Sequence, residues 1–306
     1  MPIIPDLDFS IGIVRIRAGL AKQQAEVEAT LPEVPDVKTR DIWVPGFNDE
    51  DDEILMRVYE PDGHSAPSAG LYWIHGGGMV VGAYDGNDFQ CKTWASQFKV
   101  PIVSVEYRLA PEHPYPAPLH DCYAGLRWMY RHAESLGVDR QRITVSGASA
   151  GGGLAAGTVL YARDEGEVAV RAQVLIYPMI DDRDVTPSNH EITYPKCWNH
   201  DANQWGWSAY LGDLYGTDDV PLYAAPARAT VDDLRGLPPT FIDVGELDAF
   251  RDEDIEYAQK LMQAGVATDL VVTSGAFHAS ESYNPKAPSS RRILAARLDA
   301  LGRALT

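Results

Sequence analysis

Apolar residues along this chain fall into two alternating patterns: short unbroken runs, and longer stretches whose apolar positions recur at helical spacing. Runs at 71–75, 102–107, 142–146, 172–177, 239–244 and 269–273 read as strands. Residues 36–44 and 53–60 read as two more, joined by an acidic turn at 46–52, with 61–69 as loop. Helical segments intervene near 88–99, 119–135, 150–163 and 251–264, with a last one near 288–304. Strands that alternate with helices predict parallel pairing through right-handed crossovers, and so an α/β domain built on one sheet.

Two segments break the alternation. Residues 11–31 form an amphipathic stretch, with Ile13, Ile16, Leu20 and Val27 at roughly helical spacing. Residues 184–226 separate two strands and are rich in aromatics: Tyr194, Trp198, Trp205, Trp207, Tyr210 and Tyr215. A structureless loop of that length is unusual inside a compact domain, so this insertion is expected to form helices of its own.

Chemistry enters where two strands end in glycine. Gln141 to Gly147 reads as a strand and Ala150 to Tyr161 as a helix, with Ser149 at the joint inside Gly147-Ala148-Ser149-Ala150-Gly151. A strand-to-helix turn this sharp strains its central residue, so the flanking positions must be small. The helix then aims its first N–H groups at the site, which makes Ala150 the expected donor of one oxyanion hydrogen bond. The second run, His75-Gly76-Gly77-Gly78, follows the strand at 71–75 and lets the backbone of Gly76 and Gly77 supply the remaining donors. A phosphate-cradling loop is a poor reading, because no Gly-Lys-Ser/Thr ending follows.

A serine hydroxyl needs a base. Of eight histidines, His64, His132, His190 and His200 lie in turns, on a helix or in the irregular aromatic stretch; His113 and His120 lie in a proline-rich segment, and His75 belongs to the glycine turn. His278 differs, since it follows the last strand in the loop 274–278 before the final helix, where the carboxyl ends of parallel strands converge. The acid is expected on the preceding strand's loop, after Thr240 to Val244. Asp248 is preferred there and Glu246 competes, while Asp243 falls inside the strand and Asp252 to Asp254 read as the acidic first turn of a helix. Arg108, Glu112 and Asp121 read as ion pairs and caps rather than substrate ligands.

These motifs, together with Tyr107-Arg108-Leu109-Ala110-Pro111-Glu112, His113-Pro114-Tyr115-Pro116-Ala117 and Leu247-Asp248 leading to Arg251-Asp252-Glu253, resemble the bacterial hormone-sensitive-lipase-like esterases (family IV carboxylesterases) of the α/β-hydrolase fold. The motifs keep that family's order from about residue 70 to 280. The resemblance implies Ser149, Asp248 and His278 as a catalytic triad, Gly76, Gly77 and Ala150 as oxyanion donors, and a mostly parallel eight-stranded sheet. It further implies a cap made by residues 1–35 and the insertion 184–226 over a core of 36–183 and 227–306. Met79, Trp198, Trp205 and Trp207 are then candidates for the substrate pocket. Four positions depart from the pattern: Ala148 where Asp or Thr is usual, Met79 where an aromatic often follows the glycines, Ala249-Phe250 in place of Pro-Leu, and Ala279 in place of Gly.

Composition narrows the partners. The chain has 306 residues and a net charge of −18, which disfavours nucleic acid and anionic membranes and points to neutral or weakly cationic substrates. Cys91, Cys122 and Cys197 are odd in number and widely spaced, so a disulfide framework is not expected. With Asp6 and Asp8 where a secretory leader needs positive charge, and no apolar run of membrane-spanning length, a cytoplasmic protein is expected. The reaction expected is hydrolysis of small esters through an acyl-enzyme, with no metal or cofactor, since no H-E-x-x-H or clustered His/Asp pattern occurs. Self-association is left open, a homodimer being the assembly to test. An amidase, formamidase or carbamate hydrolase would use the same residues, and a non-catalytic receptor on the same fold is the alternative outside enzymes.

Overall fold

A computed structural model describes Phe9, residues 12–48 and residues 51–306. Asp6, Asp8 and Ile11, and two residues of the acidic turn at 46–52, lie outside the described residues, as does most of the segment before Gly12. Eight strands form one sheet: β1 (Val37–Val44), β2 (Ile54–Pro61), β3 (Ser68–Ile74), β4 (Ile102–Val105), β5 (Val138–Ala148), β6 (Ala172–Ile176), β7 (Thr240–Leu247) and β8 (Thr268–Phe277). Their order is β1-β2-β4-β3-β5-β6-β7-β8. Only the pairings of β2, to β1 and to β4, are antiparallel; all others are parallel.

Burial follows from position in the sheet. The inner strands β4 and β6 are buried at every residue, as expected where helices cover both faces. The outermost β1 is mostly exposed and carries charge: Arg40 pairs with Glu60, and Asp41 with Arg57. Charged side chains of this kind blunt a sheet edge. Alternation along β3 sends Tyr72 and Ile74 into one core and Leu71 and Trp73 into the other. The first core packs against α3 (Ala117–Arg131), α4 (Ala150–Glu165) and α7 (Arg251–Gln263), through residues such as Leu126, Leu154 and Tyr257. The second packs against α2 (Asp88–Phe98) and α9 (Pro288–Leu305), through Trp94, Leu301 and Leu305. Among the described residues, no helix is long and apolar enough to cross a membrane.

The segments outside the alternation are helical, as their spacing and length predict. α1 (Ile13–Glu28) comes from the N-terminal stretch; α5 (Pro187–Glu191) and α6 (His200–Leu211) come from the insertion. α6 starts where it does because the Asn199 side chain accepts a hydrogen bond from the Ala202 N–H at 3.0 Å. A short helix, α8 (Ser280–Tyr283), precedes α9.

One boundary differs in a way that affects the site. Residues 274–277 belong to β8 rather than to a loop, because the register shifts between Gly245 and Leu247 and pairing resumes at Leu247 with Phe277. The Glu246 carboxylate fastens this extension, accepting from Ser274 Oγ at 2.6 Å and from the Gly275 N–H at 2.8 Å.

Strand connectivity sets where chemistry can happen. The chain leaves β3 for β4 on one side, then crosses back to β5 on the other, so a crevice opens at the carboxyl ends of β3 and β5. Just past β4, Glu106 accepts a 2.6 Å hydrogen bond from the Tyr84 N–H, anchoring the loop that follows β3. Burial raises its carboxyl from the ordinary 4.5 to about 7, against the pull of the Tyr84 amide. A raised acid pKa means the fold prefers the protonated form, so its stabilising contribution is complete below about 4.5 and is lost as pH rises through about 7. Glu106→Gln, which keeps the acceptor without the charge, should therefore raise Tm relative to wild type at pH 8 and lose that advantage at pH 5. Thermal unfolding across this range checks it, and a difference independent of pH would count against the assignment.

Candidate active site

Ser149 occupies the turn between β5 and α4 with φ 58° and ψ −125°, a conformation side chains avoid. Three backbone hydrogen bonds hold it there: Ser149 N–H to Ile176 O at 2.9 Å, and Ser149 O from the Gly153 N–H and the Met179 N–H, both at 3.0 Å. Neighbours must be small for the turn to close. A Cβ on Gly151 would stand 2.2 Å from Ile74 O and 2.3 Å from His75 O, both immovable backbone atoms.

The histidine after β8 meets this serine. His278 Nε2 lies 3.0 Å from Ser149 Oγ, and His278 Nδ1 lies 2.9 Å from Asp248 Oδ2. A carboxylate can only accept, so Nδ1 carries the proton and Nε2 presents its lone pair to the serine hydroxyl. Asp248 is fully buried, and its other oxygen accepts from the Phe250 N–H at 3.1 Å. Glu246, the competing acid, is turned toward Ser274 and Gly275 instead. The edges of Tyr177 and Phe250 close on the imidazole at centroid distances of 4.6 and 5.1 Å, which restricts its rotation. One departure from the family pattern thus acquires a role and another a cost. Phe250 supplies both a ring against His278 and an amide to Asp248, whereas Ala279 sits at φ 57°, in the left-handed region where glycine is cheaper.

The glycine run lies alongside. A Cβ on Gly76 would meet Ala148 O at 2.6 Å and Ser149 Cβ at 3.2 Å, so only glycine brings this backbone beside the serine. Among the described residues, the N–H groups of Gly76, Gly77 and Ala150 donate to no protein acceptor. They can therefore serve an oxyanion formed at Ser149. His75 is structural: its Nδ1 faces Gly76 O at 2.8 Å, its ring stacks on Tyr107 at 4.2 Å, and burial lowers its pKa to about 4, keeping it neutral. From α1, Arg17 donates to Val80 O at 2.7 Å and Ala110 O at 2.8 Å while pairing with Glu112 at 2.8 Å, which ties the N-terminal helix to this loop. Arg108 and Asp121 form the expected ion pair, at 2.7 Å.

The four pocket candidates are not equivalent. Trp198 packs over the glycine run so closely that a Cβ on Gly78 would lie 2.1 Å from its ring. Met79 directly follows the run and is fully buried, with φ 62° and its carbonyl accepting from the Ala110 N–H at 2.9 Å. Trp205 stacks on Phe9 at 4.2 Å, and Trp207 is enclosed beside Tyr210.

Sequence reading overlooked the charges behind the histidine. Arg297 of α9 reaches through the second core to Asp243 at 2.5 and 3.0 Å and to Glu281 at 2.6 Å, and Glu281 accepts from the Tyr177 hydroxyl at 2.8 Å. This network fixes Tyr177, and through it one wall of the His278 pocket. A signal was present: Arg297 stands on the stripe Ile293, Arg297, Leu301 that a core-facing helix buries, and Asp243 interrupts an otherwise apolar strand. Glu253 and Asp254 lie in the acidic first turn of α7, as expected, and are buried, which raises both carboxyls well above the ordinary range; Glu253 accepts from the Ile180 and Asp181 N–H groups.

Known proteins match this arrangement. A profile of the α/β-hydrolase fold matches residues 71–282. Over 296 residues the chain is 34% identical to carboxylesterase NlhH of Mycobacterium tuberculosis, covering 96% of this chain and 90% of that protein. Among solved structures, a bacterial heroin esterase has a TM-score of 0.93 at 43% identity, covering 99% of this chain and 95% of that one. The hyperthermophilic esterase of Pyrobaculum calidifontis has a TM-score of 0.86 at 32% identity, covering 97% and 95%. With its motifs and its sheet both accounted for, the chain belongs to the α/β-hydrolase fold family, on its hormone-sensitive-lipase-like branch.

Proposed function

We propose that this chain is a serine carboxylesterase that hydrolyses short- to medium-chain neutral esters through an acyl-enzyme. The observation that carries the reading is the unbroken hydrogen-bond path from Ser149 Oγ through His278 to Asp248, at 3.0 and 2.9 Å. Ser149 attacks the ester carbonyl as His278 Nε2 takes its proton, and buried Asp248 stabilises the imidazolium. The N–H groups of Gly76, Gly77 and Ala150 receive the oxyanion. His278 then protonates the leaving alcohol, and in the second half-reaction it draws a proton from the water that attacks the acyl carbonyl and returns it to Ser149 Oγ as the Oγ–acyl bond breaks. The names of the relatives reported above, a carboxylesterase and two esterases, support the same chemistry.

Residues 1–35 and 184–226 act as a cap over the core of 36–183 and 227–306, a reading supported by the Arg17 contacts to Val80 and Ala110 and by Trp198 over Gly78. Trp198, over Gly78, is the pocket wall beside the oxyanion donors; fully buried Met79 backs the glycine run, and Trp205 and Trp207 brace the cap. A covered site suits small esters better than emulsified lipid, and a net charge of −18 opposes anionic ones. The three cysteines are free and buried, which supports a reducing, cytoplasmic location. A homodimer remains the assembly proposed for this chain.

Ser149→Ala should lower turnover of p-nitrophenyl butyrate by a factor on the order of 10⁴ to 10⁶ with Tm unchanged. Residual turnover near the wild-type rate would remove Ser149 from the reaction. Across p-nitrophenyl esters of increasing chain length, kcat/KM should peak at short to medium acyl groups. A maximum on long-chain triglyceride at an interface would contradict the covered pocket.

A further inference from the structure

The insertion holds a cluster of donors that the reaction does not use. In sequence, Asp184, His190 and His200 show no metal-ligand spacing, and no clustered His/Asp pattern was expected there. The structure brings them together: Asp184 turns the chain at φ 55°, so that the end of α5 and the start of α6 converge on its carboxylate. One donor atom from each residue lies within 4.8 Å of the others. We propose that Asp184, His190 and His200 form a binding site for a zinc-class divalent cation, which clamps the insertion and plays no part in the ester chemistry.

The donor set favours that class. Two imidazoles with one carboxylate suit zinc and its late first-row neighbours, whereas calcium and magnesium demand oxygen. His200 Nε2 stands 3.0 Å from Asp184 Oδ2; His190 Nε2 stands 3.7 Å from Asp184 Oδ1 and 3.0 Å from the Asp184 carbonyl oxygen, a contact that a bound cation would replace. Zinc bound at about 2.0–2.1 Å in tetrahedral geometry spaces its donors roughly 3.3–3.5 Å apart. His200 and Asp184 already approach that spacing, and the full set, within 4.8 Å, would close by about an ångström on binding. The His190 side chain, 55% exposed, can complete the closure, with water in the fourth position.

The surroundings of the donors argue for a built site. The Asp184 carboxylate is aimed by two neutral amides, Asn189 Nδ2 on Oδ1 and Gln204 Nε2 on Oδ2, both at 2.8 Å. Neighbouring Asp181 and Asp182 are neutralised by Arg183 and Arg228, but among the described residues Asp184 has no Arg or Lys partner. On the far side of the His200 ring, Nδ1 faces the Asp201 carboxylate at 3.3 Å. Both ring nitrogens of His200 thus face carboxylates, which only accept, so a bound cation would take the place of the Nε2 proton while Asp201 holds the one on Nδ1. Asn189 is buried, and its Oδ1 has no protein partner, so the amide is committed to Asp184 at the expense of its own acceptor.

The three residues come from the start of the insertion, the end of α5 and the first residue of α6, which also carries Trp205 and Trp207. A cation joining them would cross-link the segment that lays Trp198 over Gly78.

The test is calorimetric titration of the chelator-stripped full-length protein with zinc chloride, with thermal unfolding as a second readout. One equivalent should bind and raise Tm. His190→Ala, at an exposed position, should weaken binding at least tenfold without lowering the metal-free Tm, and His200→Gln, which keeps a donor toward Asp184, should do the same. Asn189→Ala should weaken it by about 10–100-fold, whereas the control His64→Ala should change nothing. Absence of stoichiometric binding, or binding equally tight in the His190→Ala and His200→Gln variants, would overturn the site. Because the readouts are binding and Tm, the result is independent of whether the protein hydrolyses esters.

Discussion

Ser149 can hold φ 58° only because β5 runs into α4 with no residue to spare, and its carbonyl and amide are pinned from both sides by Ile176, Gly153 and Met179. A non-glycine residue in that region costs on the order of 1–3 kcal/mol, and the hydrogen bonds and close helix packing around it offset the cost. The same constraint does three further things. It lifts the hydroxyl out of the sheet toward His278, it points the first N–H of α4 at the reaction, and it demands that Gly76 pass within a Cβ's width of Ala148 O. Nucleophile and anion hole are consequently one piece of backbone geometry rather than two separate devices.

The second constraint is electrostatic. His278 is enclosed by aromatic edges and a buried carboxylate, while a second pair of carboxylates, Asp243 and Glu281, lies behind Tyr177 and is held by Arg297. Without Arg297 those two acids would sit buried beside Asp248 with only the Tyr177 hydroxyl, on Glu281, to offset their charge, and leaving a buried charge unpaired is costly. The arginine thus lets Asp248 serve His278 without competition. Nearby, His75 escapes the problem by staying neutral.

Much of this was legible from the sequence because the local rules and the global fold agree. The alternation of apolar runs and helical spacing locates all eight strands along the chain; inner strands such as β4 and β6 stand out because a strand buried on both faces holds few polar residues. Ser149 and the glycines were legible because close backbone approach leaves only one residue type. Asp248 is preferred to Glu246 from the sequence, and the structure adds the reason Glu246 does not compete: the register shift after Gly245 turns it toward Gly275. Arg297 and the Asp184 cluster were missed. Each acts through partners distant in sequence: Arg297 marks itself only as a charge on an apolar helical stripe, which does not name its partners, and histidines ten residues apart carry no pattern of their own.

The most direct measurement is covalent trapping. The protein is incubated with a fluorophosphonate and the adduct located by peptide mass mapping, in wild type and in His278→Ala. The account predicts a single adduct on Ser149 that forms quickly in wild type and slows by orders of magnitude when the imidazole is removed. An adduct on another residue, or labelling of Ser149 at the same rate in both proteins, would contradict it.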